Sequence, residues 1–440
     1  MAAHGSEVLS ALIPSAAAPL REWLAWLEAG RGEYIDLGLE RCAEVAERLA
    51  LARPARVVVT VAGTNGKGSS VALLASIWAS AGYRVGAYTS PHLLRYNERI
   101  RIDGVAVDDQ RISHAFARVE AARARVALTY FEFATLAALS IFAESNLDVV
   151  ILEVGLGGRL DAVNIVDADV ALIAAIGLDH EEWLGNTRAK IATEKAGVMR
   201  AGCVAVCSDN DLPHTMLEHA QTCGAVPAVL GVDFAFEDEG QHWTWWSGQQ
   251  VLENLPYPAL SGAHQLRNAA GVLKVIDTLQ SRLPVAVAQI AQGLRAVVLP
   301  GRFQHVTGAI EYVIDVAHNP QAAEIFTASL ATMSPAPRTH ALIGMLNTKN
   351  HRGFLAPLLD HVQCWHFATL GGANGARAEA LAQCLGELAP RAVARCHANV
   401  AAAHSAVLAD ARPGDRVLVL GSFLTVGAIF EQLALTPATP

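Results

Sequence analysis

The chain has 440 residues, of which 52% are hydrophobic and 17% are charged, and its formal net charge is −9 with histidine counted as neutral. At about 150 residues per domain, this length predicts two or three domains. The apolar content is too high for an intrinsically disordered chain. The acidic balance argues against nucleic acid as a partner, because such an interface needs a basic face, but it leaves room for a small anion-binding site.

The sequence offers no candidate for a membrane span or a secretory signal. Its longest apolar runs, such as 149–152 and 170–176, have the length of strands, whereas a span needs about 18 or more apolar residues. The N-terminal stretch lacks the basic segment that begins a secretory signal. The seven cysteines form no CxxC pair, which favours reduced thiols. We therefore expect a cytoplasmic protein without a membrane partner.

Short β-branched runs alternate with alanine-rich stretches, a pattern typical of α/β proteins with a parallel sheet covered by helices. The strand candidates are almost entirely apolar, as expected for strands buried on both faces, and cover 57–62, 149–154, 170–176, 312–316, 341–345 and 417–420. Helices are predicted over 69–81, 108–124 and 131–145, and resume near His264. The less regular region 203–260 predicts a small β-rich elaboration. The sequence VLPG (298–301) breaks the pattern and predicts a domain boundary between 1–298 and 299–440.

The stretch VVVTVAGTNGKGSSVALL (57–74) predicts a phosphate-binding loop between a buried strand and a helix. Its glycines allow a tight turn that points backbone N–H groups at phosphate oxygens, and the start of the helix adds free N–H donors. Lys67 supplies a positive charge for the β- and γ-phosphates. Val61 and Gly68 depart from the strict Walker A spacing, which leaves a glycine-rich turn without a ligand as the alternative. The candidate phosphate contacts are Gly63, Thr64, Asn65, Gly66, Lys67, Gly68 and Ser69.

Acidic and imidazole side chains follow two later strands of the predicted sheet. Glu153 ends one buried strand, and Asp179 with His180 follows the next. Ligands of parallel sheets bind beyond the carboxyl ends of the strands, and Mg²⁺ prefers oxygen ligands. These positions therefore predict a magnesium site, with a solvated strand-end glutamate and a structural histidine as the alternatives. Lys195, on the helix after this loop, would ordinarily be a surface charge.

Ordered motifs along nearly the whole chain resemble the folylpolyglutamate synthase/dihydrofolate synthase family of the Mur ligase superfamily. The motifs are AGTNGKGS (62–69), TSPHLLRYNERIRI (89–102), YFEFATLAAL (130–139), LEVGLGGRLDAVNIVD (152–167), LDHEEWLG (178–185), EKAG (194–197), LPGRFQ (299–304), DVAHNP (315–320) and GSFLTVG (421–427). The resemblance implies a P-loop-like ATP-binding domain over 1–298, similar to the central Mur ligase domain. It also implies a smaller, Rossmann-like ligase domain over 299–440, with the active site in the cleft between the two.

The resemblance also implies site residues and cofactors. Lys67, Gly66 and Ser69 would hold the phosphates of ATP, and Asn268, Arg302, Asp315 and His318 would contact the nucleotide or the amino-acid substrate from the domain junction. Two Mg²⁺ sites are implied, the first with Ser90 and Glu153 and the second with Glu153, His180 and Lys195. The matching lysine in this family is typically N-carbamylated, which would turn Lys195 into an anionic oxygen ligand. Lys67, Lys195 and His318 are the candidate catalytic residues, His318 as the base for the glutamate amine.

Four further positions match the pterin pocket of the family, namely Thr129, Phe131, Asp161 and Asn164. Phe131 could stack on a flat ring, and Asp161 could accept paired N–H bonds from an amino-pyrimidinone edge. The alternative for Asp161 is an ion pair with Arg159. Val163 departs from the threonine of many relatives, which leaves the local polarity open.

The resemblance implies an ATP-dependent ligase that activates a carboxylate as an acyl phosphate for attack by L-glutamate. The substrates would be dihydropteroate, giving dihydrofolate, and reduced folates, which gain γ-linked glutamates. The small molecules would be the only partners, and a monomer is expected. The alternatives are a monofunctional synthase of either kind, a peptidoglycan Mur ligase, and a P-loop nucleotide switch without ligase activity.

Overall fold

The computed structural model describes residues 13–31, 35–51 and 53–435. Within these ranges, an eight-stranded sheet comes first along the chain, a three-stranded sheet follows, and a six-stranded sheet comes last. The two larger sheets are mostly parallel and are covered by helices. The predicted α/β class with two parallel-sheet domains is therefore confirmed.

The first sheet has the strand order β4-β3-β2-β5-β1-β6-β7-β8. Its strands are β1 (Ala55–Ala62), β2 (Val85–Tyr88), β3 (Ile100–Ile102), β4 (Val105–Ala106), β5 (Leu147–Glu153), β6 (Val170–Ile173), β7 (Val204–Cys207) and β8 (Val226–Val229). The central strand β1 pairs in parallel with β5 and β6 because all three are apolar on both faces. Val61 pairs with Glu153 and Ala62 with Ile173, so the carboxyl ends of the three strands lie side by side.

Helices cover both faces of this sheet and build one apolar core on each face. They are α1 (Leu20–Arg31), α2 (Glu40–Arg48), α3 (Lys67–Ser80), α4 (Asp109–Arg123), α5 (Tyr130–Ala143), α6 (Glu181–Leu184), α7 (Arg188–Ala196), α8 (His214–Cys223), α9 (His264–Thr278) and α10 (Val287–Ala296). Helices α3, α9 and α10 lie on one face, and α4, α5, α7 and α8 on the other. In the described part of the chain, no helix is long and apolar enough to cross a bilayer.

The elaboration predicted within 203–260 contains an antiparallel sheet of β9 (Phe234–Asp238), β10 (Trp243–Ser247) and β11 (Gln250–Leu255). Trp243 and Trp245 point from β10 into the core beside α9 and are fully buried. Their indole N–H groups donate to the carbonyl oxygens of Pro256 (2.9 Å) and Ala270 (3.1 Å). Trp243 and Trp245 thus attach this small sheet to the first domain.

The last sheet has the strand order β12-β13-β17-β14-β15-β16. Its strands are β12 (Gln304–Val306), β13 (Glu311–Ile314), β14 (Thr339–Ile343), β15 (Cys364–Ala368), β16 (Ala394–His397) and β17 (Arg416–Leu420). Its helices are α11 (Pro320–Leu330), α12 (His351–Leu355), α13 (Ala378–Leu388), α14 (Val400–Asp410) and α15 (Phe423–Gln432). All pairs are parallel except β12 with β13. The break at 298–301 comes just before this sheet begins, and the boundary at 299 stays a prediction.

The two domains meet through the loop that follows β2. Leu93 and Leu94 of this loop pack against the apolar core under α15. A Cβ atom on Gly427 of α15 would lie only 2.5 Å from the Leu93 carbonyl oxygen, so glycine permits this close approach. The contact holds the carboxyl ends of both sheets against a common cleft.

Candidate active site

The predicted phosphate loop connects β1 to α3, which begins at Lys67. Gly66 has φ 89°, in the region that favours glycine, and a Cβ atom there would lie 2.6 Å from Asn268 Oδ1. The Lys67 ammonium donates to the carbonyl oxygens of Gly63 (3.0 Å) and Thr64 (3.2 Å), which curls the side chain over the loop. Burial lowers the Lys67 pKa, while the nearby Glu153 carboxylate opposes that change. The loop therefore presents a partly buried amine beside free backbone N–H groups at a helix start.

Glu153 ends β5 next to this loop and is buried. Its Oε2 accepts a hydrogen bond from the Ser90 backbone N–H at 3.3 Å. Burial raises the Glu153 pKa, and Lys67 and Arg302 pull it down. A carboxylate has about four acceptor positions, so one backbone donor leaves most of them free for a cation. This is the electrostatic setting that a metal ligand requires.

Lys195 reaches the same loop from α7. Its side chain is buried, and Nζ donates to the Gly63 carbonyl oxygen at 2.8 Å, the oxygen that also binds Lys67. Burial, assisted by the positive charge of Lys67, lowers the Lys195 pKa to about 7. The surface position that an ordinary helix lysine would take is therefore excluded.

His180 lies at the start of α6 with φ 52°, a left-handed conformation that is rare for histidine. Partial burial and then the positive charge of Lys349 lower its pKa to about 4, so the ring is neutral near pH 7. Its Nε2 lies 3.4 Å from Lys349 Nζ. A neutral imidazole at the cleft edge can serve as a metal ligand.

Three predicted residues approach from the second domain. The Arg302 guanidinium lies 5.3 Å above the Phe423 ring and is directed toward Gly68 of the loop. Asp315, just after β13, accepts hydrogen bonds from two backbone N–H groups at 2.7 Å each. His318 donates from Nδ1 to the Val316 carbonyl oxygen (2.8 Å), which leaves Nε2 3.4 Å from Asp179 Oδ2.

These side chains line one cleft of about 250 Å³ between the two domains. The predicted residues that line it are Gly63, Thr64, Asn65, Gly66, Lys67, Gly68, Ser69, Ser90, Glu153, His180, Lys195, Arg302, Asp315 and His318. Asn268 lies behind the loop, buried, and its Oδ1 has no hydrogen-bond partner among the described residues. The separate sequence predictions thus converge on one place.

Sequence reasoning did not assign a role to Lys349, which lies in the loop after β14. Its Nζ lies 2.6 Å from Asp179 Oδ1, and both side chains are nearly buried. Asp179 also accepts a hydrogen bond from Asn319 Nδ2 at 3.1 Å. Burial by itself would raise the Asp179 pKa, but the contacts with His318 and Lys349 outweigh it and hold that pKa well below its usual range. Lys349 lies six residues beyond the end of β14, so the strand-end rule that identified Glu153 does not reach it.

The phosphate loop is also tied directly to the second domain. Asn65 and Asn319 exchange amide hydrogen bonds of 3.1 Å in both directions, and Asn65 Nδ2 donates to Gln321 Oε1 at 2.7 Å. Gln321 in turn donates to the Ile176 carbonyl oxygen at 3.3 Å. A movement of α11 would therefore displace the phosphate loop or break these hydrogen bonds.

The four predicted pterin contacts lie outside the residues that line this cleft. Thr129 caps α5, because its Oγ1 accepts from the Glu132 N–H (3.2 Å) while the Glu132 carboxylate accepts from the Thr129 N–H (2.7 Å). Asn164 Nδ2 donates to the Arg159 and Gly197 carbonyl oxygens at 3.0 Å each. Both polar groups thus already stabilise the protein, and their substrate roles stay predictions.

Asp161 is buried, which raises its pKa to about 6, and its oxygens accept from the N–H groups of Leu156 (2.8 Å) and Val163 (3.0 Å). Arg159 pairs with Glu194 at 3.0 Å, so the alternative ion pair between Arg159 and Asp161 is wrong. Phe131 packs beside Gly155, where a Cβ atom would lie 2.6 Å from its ring. A pterin role for Asp161 and Phe131 stays a prediction.

Comparison with known proteins identifies relatives of nearly the same length. The family described as "Mur ligase, glutamate ligase domain" matches residues 301–423. The dihydrofolate synthase/folylpolyglutamate synthase of Escherichia coli (strain K12) is 44% identical over 420 residues, covering 96% of this chain and 97% of that protein. The protein of the same name from Haemophilus influenzae is 40% identical over 429 residues, covering 93% and 97%.

Solved structures of such proteins have the same fold. E. coli FolC in complex with DHPP and ADP is 44% identical with a TM-score of 0.89, covering 96% of this chain and 99% of that chain. The bifunctional folylpolyglutamate synthase/dihydrofolate synthase of Yersinia pestis, complexed with AMPPNP and Mn ion, is 45% identical with a TM-score of 0.88, covering 96% and 100%. This chain therefore belongs to the dihydrofolate synthase/folylpolyglutamate synthase family.

Proposed function

We propose that the protein is a bifunctional ATP-dependent ligase that joins L-glutamate to dihydropteroate and to reduced folates, the latter as γ-linked polyglutamate. One observation carries the proposal: a phosphate loop with Lys67, a strand-end carboxylate at Glu153 and His318 of the second domain line a single cleft. A related bifunctional enzyme, 45% identical to this chain, has been solved with Mn, AMPPNP and L-glutamate bound. A triphosphate, a divalent cation and an amine substrate are the components that this reaction needs.

The reaction makes an amide bond from a carboxylate, which is a poor acyl donor because its leaving group would be oxide. Transfer of the γ-phosphoryl group of ATP to the carboxylate gives an acyl phosphate. The glutamate amine then attacks the acyl carbon, and inorganic phosphate leaves. Such a reaction depends mostly on positioning and on charge stabilisation. The Lys67 amine, the loop N–H groups and Arg302 are placed for that purpose.

The residues present fit Mg²⁺. Ser90 and Glu153 would hold one ion, and Glu153, His180 and a carbamylated Lys195 a second. Support comes from the buried Glu153 carboxylate, which has one backbone donor and Lys67 and Arg302 as its cationic neighbours. Bound Mg²⁺ would neutralise charge on the phosphate oxygens. Lys195 as an ammonium ion has no lone pair for a metal, and Mg²⁺ prefers oxygen to amine nitrogen, so the second site depends on carbamylation of Lys195.

The proposed enzyme works as a monomer in the cytoplasm, with small molecules as its partners. Support for the monomer comes from the cleft, because the chain itself supplies both walls of it, Lys67 from the first domain and Arg302 and His318 from the segment after 299. The glutamate amine needs a base, and His318 is our candidate because it lines the cleft and its Nδ1 already donates to the Val316 carbonyl oxygen, which leaves Nε2 as the nitrogen that can accept a proton.

The test is to assay dihydropteroate and tetrahydrofolate separately with ATP and L-glutamate, measuring the amide product and ADP. Both substrates should give product with one ADP per bond. Product from only one substrate would indicate a monofunctional synthase. ADP release that is independent of both pterin substrates would contradict ligase activity and favour a nucleotide switch.

A further inference from the structure

Two buried histidines and one aspartate form a cluster in the second domain, apart from the cleft. His340 on β14 and His366 on β15 are almost completely buried. In the parallel register His340 is opposite Cys364 and Leu342 is opposite His366, so both imidazoles lie on one face of the sheet. Helix α14 covers that face and ends at Asp410. One ligand atom of each of the three residues lies within 4.8 Å of the others.

The hydrogen bonds of the two imidazoles leave one nitrogen of each available. His340 Nε2 lies 3.4 Å from Asp415 Oδ2, whereas His340 Nδ1 is buried without a partner among the described residues. His366 Nδ1 lies 3.2 Å from His397 Nε2, which leaves His366 Nε2. A buried imidazole nitrogen without a partner costs free energy unless a ligand or a proton donor satisfies it. The unpaired Nδ1 is therefore an observation that needs an explanation.

The groups behind these imidazoles match the support that metal-bound histidines usually have. A metal-binding histidine commonly directs its second nitrogen at a carboxylate or another polar group, which fixes the ring. Asp415 has this position behind His340, and is itself held by the Arg412 backbone N–H at 2.9 Å.

We propose that His340 Nδ1, His366 Nε2 and the Asp410 carboxylate bind a divalent first-row transition-metal ion, with Zn²⁺ as the preferred ion. Two imidazoles and a carboxylate suit zinc and its neighbours, whereas Mg²⁺ and Ca²⁺ prefer oxygen ligands alone. Tetrahedral Zn²⁺ requires ligand atoms ~3.4 Å apart, so the side chains must move inward by about an ångström. Water would complete the coordination.

The surroundings of Asp410 permit this role. Asp410 ends α14, where the helix dipole favours a cation. Arg338 already donates to the Asp410 carbonyl oxygen at 2.6 Å, and Arg395 Nη1 lies 3.6 Å from Asp410 Oδ2. At 3.6 Å this contact is an ion pair without a hydrogen bond, so the Asp410 carboxylate keeps acceptor positions for a metal ion. The Asp410 and Arg395 side chains are partly exposed, which gives an ion a route to the buried imidazoles.

The test uses the untagged full-length protein, stripped with a chelator, dialysed against Zn²⁺ and analysed for bound metal per chain. Glu153→Gln is included in every variant so that the cleft site does not contribute. We expect one Zn²⁺ in the Glu153→Gln protein, and Co²⁺ in its place should give the visible absorption of a tetrahedral site. Asp410→Asn and His366→Asn should each weaken Zn²⁺ binding by at least about tenfold.

His361→Asn is the matched control, since His361 belongs to the same domain and lies outside the cluster. It should bind Zn²⁺ as the parent does. Circular dichroism establishes that each variant is folded. If the buried His366 variant does not fold, Asp410→Asn at the helix end still tests whether loss of a proposed ligand weakens Zn²⁺ binding. No bound Zn²⁺ in the parent, or equal binding in the Asp410 variant, would overturn the proposal and leave the imidazoles as ordinary core residues.

Discussion

Lys67 is the side chain whose chemistry depends most on its place at the start of α3. Its partly buried amine is held over the loop by the Gly63 and Thr64 carbonyl oxygens, where we expect phosphates to bind. Lys67→Ala should lower kcat more than a hundredfold, because the phosphoryl charge loses its nearest cation. Steady-state kinetics measure the effect, and a thermal melt shows that the fold persists. Lys190→Ala, at an exposed position of α7, is the control, and near-normal turnover by the Lys67 variant would remove it from catalysis.

Lys195 is expected to react with carbon dioxide. Only a neutral amine forms a carbamate, and with the pKa lowered to about 7 the neutral fraction of Lys195 grows as pH rises through 7. Labelling with ¹³CO₂ should give one carbamate resonance that strengthens from pH 6 to pH 8 and is missing in Lys195→Gln. Turnover should rise over the same range and with added bicarbonate. An unlabelled, fully active enzyme would contradict the second metal site as we propose it.

Phe131 should affect the pterin substrates and not ATP. Its ring packs against Gly155, two residues after Glu153 at the end of β5, and an aromatic face at that position could stack on a flat pterin ring. Phe131→Ala should raise KM for dihydropteroate and for tetrahydrofolate about tenfold or more, with KM for ATP unchanged. Phe236→Ala, a half-buried position in the small sheet, serves as the control. Equal changes in all three KM values would indicate a general packing defect.

At the scale of elements, the loops after β1, β5 and β6 could be predicted from the sequence because each follows an apolar strand and carries an unusual polar residue, as Glu153 does. The loop after β14 was missed, since its sequence LNTKN (346–350) reads as an ordinary polar turn. Lys349 acquires its role only through contact with Asp179 of the other domain. Conversely, Thr129 with Glu132 is a capping box that the sequence pattern alone could have identified.

The ion pair between Lys349 and Asp179 should couple the loop after β14 to the loop after β6. Lys349→Met removes a nearly buried cation that faces both Asp179 and His180, which leaves the Asp179 carboxylate without its lysine partner. We expect at least a tenfold loss in kcat/KM for ATP. In a double-mutant cycle with Asp179→Asn, the two effects should be strongly non-additive.

Arg352→Ala is the matched control for that cycle, because Arg352 lies close by in the chain but is exposed. It should leave kcat/KM for ATP unchanged. If the effects of Lys349→Met and Asp179→Asn are additive, the two residues act separately, and the ion pair has no part in holding the domains for catalysis.

For the whole molecule, much of the order of strands and helices could be predicted because strands such as β1 are largely apolar and most strands of the two large sheets are followed by a helical stretch. The contacts by which the two domains pack could not be predicted in this way, because they join residues that are distant in sequence, such as Leu93 with Gly427 and Asn65 with Asn319. The local sequence around each of these residues does not indicate which residue of the other domain it contacts. Hydrophobic periodicity reports burial within a domain and carries no information on how two domains meet.

Gly427 should therefore control how closely the domains approach. A Cβ atom there would lie 2.5 Å from the Leu93 carbonyl oxygen, and because this atom belongs to the backbone, relief requires the loop after β2 to move. Gly427→Ala should separate the domains, increasing the radius of gyration measured by small-angle X-ray scattering with ADP and Mg²⁺ present. Turnover should fall at least tenfold, because His318 and Arg302 would no longer reach the phosphate loop.

Gly386→Ala tests whether such losses come from closure and not from the substitution itself. Gly386 lies inside α13 of the same domain, and a Cβ atom there would meet no other atom within 4 Å. Alanine should stabilise this helix by about 0.5–1 kcal/mol and leave turnover unchanged. If Gly427→Ala retains both the compact shape and the activity of the parent, the contact between Leu93 and α15 does not limit closure. The hydrogen bonds of the Asn65 side-chain amide to Asn319 and Gln321 must then hold the two domains together.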